Sequence, residues 1–179
     1  MAAVKQHGYA LRFASQDLQR DRDFVMAAVK MQGWVLKLAS EDLRRDREIV
    51  MAALKQHGNA LKFASEDLQR DGEIMMAAVK KNGNALQFAS EDLQKDREIV
   101  MAAVKQTGWA LAFASLELRG DCDVVLEAAE DDRYSLQHAN LTSLARDNTT
   151  SPAKFCKILS CFHSITSIFT LIRETPGFV

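Results

Sequence analysis

The sequence predicts an all-α fold: an α-solenoid of short helical-hairpin repeats with a C-terminal helix. Three observations predict it. The string MAAVKQHGYALRFASQDLQRDRDFV recurs at a strict period of 25, in copies 1–25, 26–50, 51–75, 76–100 and 101–125, with an eroded sixth copy at 126–150. A fixed period of this length marks a stacked-repeat architecture. Within each copy the apolar residues fall at helical i, i+3, i+4 spacing. One such unit cannot bury its apolar face alone, so stacking must join the faces into a continuous core.

The first copy opens at Met1, in register with Met26, and lacks the D-R-E-I-V segment that begins the first helix elsewhere. A short cap would explain this. So would a start at an internal methionine of a longer array, which we favour because solenoids need a terminal cap with a polar outer face.

The repeating unit parses best from Asp46. Its carboxylate suits an N-cap, since it can accept from the orphan N–H groups of the first turn. Glu48 in the first turn and Lys55 in the last match the helix macrodipole. Ile49, Val50, Ala53 and Leu54 form the apolar stripe, and Gly58 fits a left-handed C′ position that ends the helix. Helix A therefore covers 47–57. The Ala27-Ala28, Ala52-Ala53 and Ala77-Ala78 pairs suit close helix approach, and the Met, Leu and Phe stripes read as core.

Helix B follows from Asn59 to Leu68, with Leu61, Ala64 and Leu68 on one face and Ala60 and Phe63 beside it. Ser65 can instead cap a separate turn, Glu66–Gln69, because serine competes for local backbone bonds. The residues leave both forms open.

The repeat domain spans 1–150, and 151–179 is a different kind of sequence. Ser151-Pro152 places a cap before a proline at N1. Phe155, Ile158, Leu159, Phe162, Ile165, Ile168, Phe169 and Ile172 follow at helical spacing, and Thr175-Pro-Gly177 ends the run. A helix that caps the solenoid is the first reading. A membrane-associated 155–172 segment is the second; its length suits a span, but Lys157 and His163 are costly inside a bilayer. The third is sequence unrelated to the repeat. Beta-branched residues weaken any helix here.

The pattern D-R-E-I-V-M-A-A-V-K-Q-x-G-x-A-L-x-F-A-S-E-D-L-x-x-D, whose A-A-V-K-Q-x-G-x-A-L-x-x-A-S run appears in several copies at fixed spacing, resembles the repeats of the domain of unknown function 4116 family. The resemblance covers about 1–125 well and 126–147 weakly. It implies an all-helical tandem repeat and brings no catalytic residues to carry over.

Hydrophobic content of 47% and charged content of 26% are ordinary for a folded domain. A net charge of −1 gives no overall pull toward nucleic acid or an anionic membrane. Cys122, Cys156 and Cys161 contain no CxxC pair and suggest neither a disulfide framework nor a zinc site. Residues 1–20 are amphipathic repeat rather than an apolar signal region, so a reducing, cytoplasmic setting is expected.

No catalytic, cofactor or metal signature is present. His7 and His57 share one repeat position, but Gln32, Asn82 and Thr107 fill it elsewhere, so no ligand ladder exists. Ser15 and its equivalents have no histidine partner. Asp17, Asp42, Asp67, Asp92 and Glu117, beside Arg20, Arg45 and Arg70, read as a solvated, salt-paired surface.

The informative variation lies at the sixth, seventh, ninth and twelfth positions. The ninth reads Tyr9, Trp34, Asn59, Asn84, Trp109; the twelfth reads Arg12, Lys37, Lys62, Gln87, Ala112. Surface positions of successive repeats line up as a stripe, the usual binding face of a solenoid. The expected interaction stripe is Tyr9, Trp34, Asn59, Asn84, Trp109, His7, His57, Arg12, Lys37 and Lys62, with the tryptophans as anchors. A non-enzymatic scaffold for a protein or peptide is expected. A helical-repeat reader of nucleic acid is the alternative; it fits the geometry but not the neutral charge.

Overall fold

A computed structural model describes residues 8–146 of the chain. Each repeat contributes three helical pieces. A ten-residue α-helix comes first, as in Arg47–Gln56; a six-residue 3-10 segment follows, as in Gly58–Phe63; a short helix, as in Glu66–Gln69, closes the unit. Taken from the capping aspartates, full units run 21–45, 46–70, 71–95 and 96–120, and no strand occurs among the described residues. The eroded sixth unit keeps the plan, with Cys122–Asp131, Arg133–His138 and Leu141–Arg146.

The long helices form one layer of the solenoid and the 3-10 segments another. Each long helix packs on the next long helix, and each 3-10 segment packs on the next 3-10 segment and on the next unit's long helix. Ile49, Val50, Ala53 and Leu54 are buried as their spacing requires, and so are Ala60, Leu61 and Ala64. The equivalent residues of the other units join them in one continuous cluster. This is the shared core that a single unit could not supply.

The long helices start as the sequence indicates. Asp46 accepts from the backbone N–H groups of Glu48 (2.9 Å) and Ile49 (3.2 Å), and Asp21, Asp71, Asp96 and Asp121 cap their helices in the same way. They do not end as expected. His57 leaves the helix in an extended conformation, φ −152° and ψ 106°, and Gly58 does not adopt the left-handed form. The glycine is required for another reason. A Cβ there would stand 2.6 Å from the Ala78 carbonyl oxygen of the next unit, and at Gly33, Gly83 and Gly108 the clash with Ala53, Ala103 and Ala128 would be closer still. The neighbouring glycine therefore seats against the second alanine of the Ala52-Ala53, Ala77-Ala78 and Ala102-Ala103 pairs, and against Ala128 in the sixth unit.

Of the two forms that the residues of helix B leave open, the structure takes the divided one. Residues 58–68 divide into a 3-10 segment and a separate short helix, broken at Ala64-Ser65. The break has a backbone reason. The Ser65 N–H turns away to donate to the Arg44 carbonyl of the preceding unit at 3.1 Å; Ser40, Ser115 and Asn140 do the same to Gln19, Gln94 and Arg119. These bonds stitch units together and cannot be made from inside a continuous helix. The phenylalanines of the 3-10 segments do not form core, although Phe24 of the first long helix does. Phe63, Phe88 and Phe113 lie half-buried at the rim of the core, and Phe13 is 83% exposed.

An arginine ladder runs along the starts of the long helices. Arg22 bonds Asp46 (2.8 Å) and Glu48, Arg47 bonds Asp71 and Glu73, and Arg97 bonds Asp121 (2.9 Å) and Asp123 (3.2 Å). Each arginine thus grips the capping aspartate and the first-turn acid of the following unit. Gly72 occupies the arginine position in the fourth unit, and Asp96 and Glu98 face no arginine.

The predicted tail helix over 155–172 and its capping and membrane readings lie outside the described residues. Among the described residues no helix is long and apolar enough to cross a membrane.

Candidate functional site

The 3-10 segments carry the variable positions, and their geometry decides which side chains reach solvent. In Gly58–Phe63 the buried residues are Gly58, Ala60 and Leu61, which face the core and the next unit. That leaves Asn59 half-buried and Lys62 exposed. The same division holds at Trp34 and Lys37, and at Asn84 and Gln87. In these three units the ninth position is the floor of the stripe and the twelfth its outer edge, whereas in the fifth Trp109 is exposed and Ala112 half-buried.

Five of the expected residues come together. Trp34, Lys37, His57, Asn59 and Lys62, with Ala60 and Phe63, line a shallow hollow of about 240 Å³ between the second and third units. The Lys37 ammonium lies 5.0 Å from the centre of the Trp34 ring and the Lys62 ammonium 4.8 Å from that of Phe63. Such placement draws a cation toward the electron-rich face of a ring and limits its motion. The Asn59 side chain is fixed by the Asn82 amide of the next unit at 3.1 Å, and Asn82 in turn caps Asn84.

The other expected residues do not join this hollow. Trp109, 40% exposed, meets His138 of the sixth unit edge-on at 4.6 Å between ring centres. Burial and the neighbouring Arg119 charge push the His138 imidazole below its ordinary pKa. Arg12 is exposed on the first 3-10 segment. His7 and the side chain of Tyr9 lie outside the described residues. Phe63 is the member of the hollow that sequence reasoning left to the core, although its recurrence beside a variable cation was visible.

The acidic row has its own geometry. Arg45 pairs with Glu41 at 2.8 Å and Arg70 approaches Glu66 at 3.7 Å, both across one helical turn. A second hollow, lined by Glu41, Arg44, Arg45, Phe63, Ser65, Glu66 and Asp67, also includes Phe63. A basic hollow and one of mixed charge therefore share one aromatic residue.

The perturbed acids are structural. Burial would raise the Asp46, Asp71 and Asp121 carboxyls, but the arginine hydrogen bonds, the capped backbone N–H groups and the arginine charge outweigh it and hold all three below the usual range. They belong to the ladder, not to a cleft. Among the described residues, no group of three or more His, Cys, Asp or Glu is placed to hold a metal ion.

The family model for the domain of unknown function DUF4116 matches residues 1–44, 21–69, 71–119 and 96–144. Three of the matches begin at the capping residues Asp21, Asp71 and Asp96, the same division that the long helices make. No curated protein and no solved structure matches the chain.

Proposed function

We propose that this chain, which belongs to the DUF4116 family, is a non-enzymatic repeat scaffold that binds a protein or peptide along its 3-10 stripe. One observation carries the reading. The glycines and the alanines they seat against are kept from unit to unit and touch a neighbouring unit, whereas the sixth, seventh, ninth and twelfth positions change, and five of these variable residues gather around one hollow. Successive units then offer different side chains on an unchanging frame, which is how solenoids assemble extended binding surfaces. Trp34 and Trp109 supply the large aromatic contacts that dominate interface energetics.

The nucleic-acid alternative is weaker on the stripe itself. Its cations at the twelfth position, Arg12, Lys37 and Lys62, give way to Gln87, Ala112 and Gln137. A reader of a phosphate backbone needs cations along its whole track. We also place the protein in a reducing compartment, on the absence of a disulfide pattern among its three cysteines.

The test is affinity capture with the full chain beside its Trp34→Ala and Trp109→Ala variants, each with thermal melts to confirm folding. Partners held by the parent chain and lost from a folded variant support the stripe. Equal recovery by all three chains removes it.

A further inference from the structure

The hollow between Trp34 and Phe63 holds cations without carboxylates. Along the ladder Arg22, Arg47 and Arg97 are each held by two acids. Three other hollows, around Arg44, Met76 and Gly72, all include Asp or Glu. Here, among the described residues, Lys37 and Lys62 form no ion pair and no acid lines the cavity. Each ammonium rests over a ring instead. Exposed His57 adds a third basic group, and Trp34, Ala60 and Phe63 supply an apolar lining.

We infer that this hollow binds a short acidic segment of a partner polypeptide, with a carboxylate between Lys37 and Lys62 and an adjoining apolar side chain against Phe63. The inference rests on the stripe reading above and gives it a chemistry. Two lysines already held over rings lose less side-chain freedom on binding than free ones would. The width of the basic surface selects the class of anion. The neighbouring hollow that shares Phe63 mixes Glu41, Glu66 and Asp67 with Arg44 and Arg45, and beyond the third unit the twelfth position turns neutral at Gln87. One or two carboxylates fit such a patch. A continuous phosphate backbone would run off the cationic stretch.

Fluorescence anisotropy tests this with three labelled probes: a Gly-Ser-Asp-Asp-Phe-Ser-Gly peptide, its Asn-Asn counterpart, and a thymidine oligonucleotide. The full chain is titrated into each at about 0.15 M salt, where screening is near physiological. The acidic peptide should bind at least about ten-fold more tightly than the amide peptide. Lys37→Glu with Lys62→Glu should remove that preference, and the milder Lys37→Gln with Lys62→Gln should reduce it. All four substitutions lie at exposed sites, so melting temperatures should match the parent. Equal binding of the two peptides, or an unchanged preference in the folded Glu variant, overturns the inference. Tighter binding of the oligonucleotide overturns it in favour of nucleic acid. The capture experiment separates this failure from failure of the stripe. Partners lost on Trp109→Ala but kept on the double Glu substitution would leave the stripe standing and remove the acidic ligand.

Discussion

The long-helix layer and the outer edge of the 3-10 layer share one period and differ in what they tolerate. In the long helices, Ile49, Ile74, Ile99 and Val124 fill one buried site, and Ala53, Ala78, Ala103 and Ala128 another. In the 3-10 layer, Trp34, Asn59, Asn84, Trp109 and Tyr134 occupy the ninth position in turn. The difference follows from contact. The alanine carbonyls receive the glycine of the neighbouring unit so closely that an added methyl has no room. The ninth and twelfth positions meet solvent, where most substitutions change stability little. The seam of glycine against alanine is held constant by contact, and the positions that vary are ones that contact leaves open.

The strongest way to break this comparison is to put a side chain into the seam. Gly83→Val should cost about 4 kcal/mol, because the clash is with backbone in a packed interface and cannot be relieved by a rotamer change. In a quasi-one-dimensional stack the damage should be local, so the urea transition should broaden or split as the fourth and fifth units part. Gly72→Ala is the control. A Cβ there meets only Leu93 and Ile99 side chains at 3.8 and 4.0 Å, so the midpoint should hold or rise. Equal losses at the two glycines would show that close approach is not what the seam requires.

Neighbouring residues on one 3-10 segment sharpen the contrast. Leu61 is fully buried and Lys62 is exposed. Leu61→Ala should cost about 3 kcal/mol through lost transfer energy and a residual cavity. Lys62→Gln should stay within about 0.5 kcal/mol while altering ligand binding. Denaturant midpoints measured beside the peptide titration would report both effects on the same samples.

Much of this arrangement was legible in the residues. The Ile49, Val50, Ala53, Leu54 spacing identified the buried face of the long helix, and Asp46 marked its start. Two features were not legible for physical reasons. Over six residues, 3-10 and α periodicities place Ala60 and Leu61 on nearly the same face, so pattern alone does not tell them apart. The role of Gly58 depends on Ala78, which is distant in sequence and close only once the units stack. Local reasoning assigned the glycine to the conformation that most often ends a helix. The ladder did leave a signal, an arginine followed one period later by flanking acids, with Gly72 as its gap. The hollow was visible only as a set of variable positions; its lack of carboxylates needed the fold.

Acid pH offers a smaller perturbation confined to the long-helix layer. The Asp46, Asp71 and Asp121 carboxyls are held below their unfolded value, so their contribution is complete above about pH 4 and is lost as pH falls through the depressed folded values. Urea midpoints should therefore decline as pH falls below about 4. Changing all three to Asn should lower the neutral-pH midpoint and flatten that decline. An unchanged slope would assign the acid sensitivity to other carboxylates.

The smallest expected effect is a gain. Gly72 is where the ladder lacks its arginine, and the space around its missing Cβ is open enough to accept one. Asp96 already caps its helix through Glu98 and Ile99 and is exposed, whereas Asp46, Asp71 and Asp121 are partly covered at their clamped junctions. Gly72→Arg should complete the clamp and raise stability by under about 1 kcal/mol, as exposed ion pairs do. Replacing glycine also restricts the unfolded chain, so Gly72→Gln must be measured beside it. The share due to the clamp is the excess of Arg over Gln, and it should shrink near 1 M salt, where charge interactions are screened over about 3 Å. If the glutamine gains as much as the arginine at low salt, the ladder is a consequence of stacking and contributes nothing to it. The seam of glycine against carbonyl would then be what holds successive units in register.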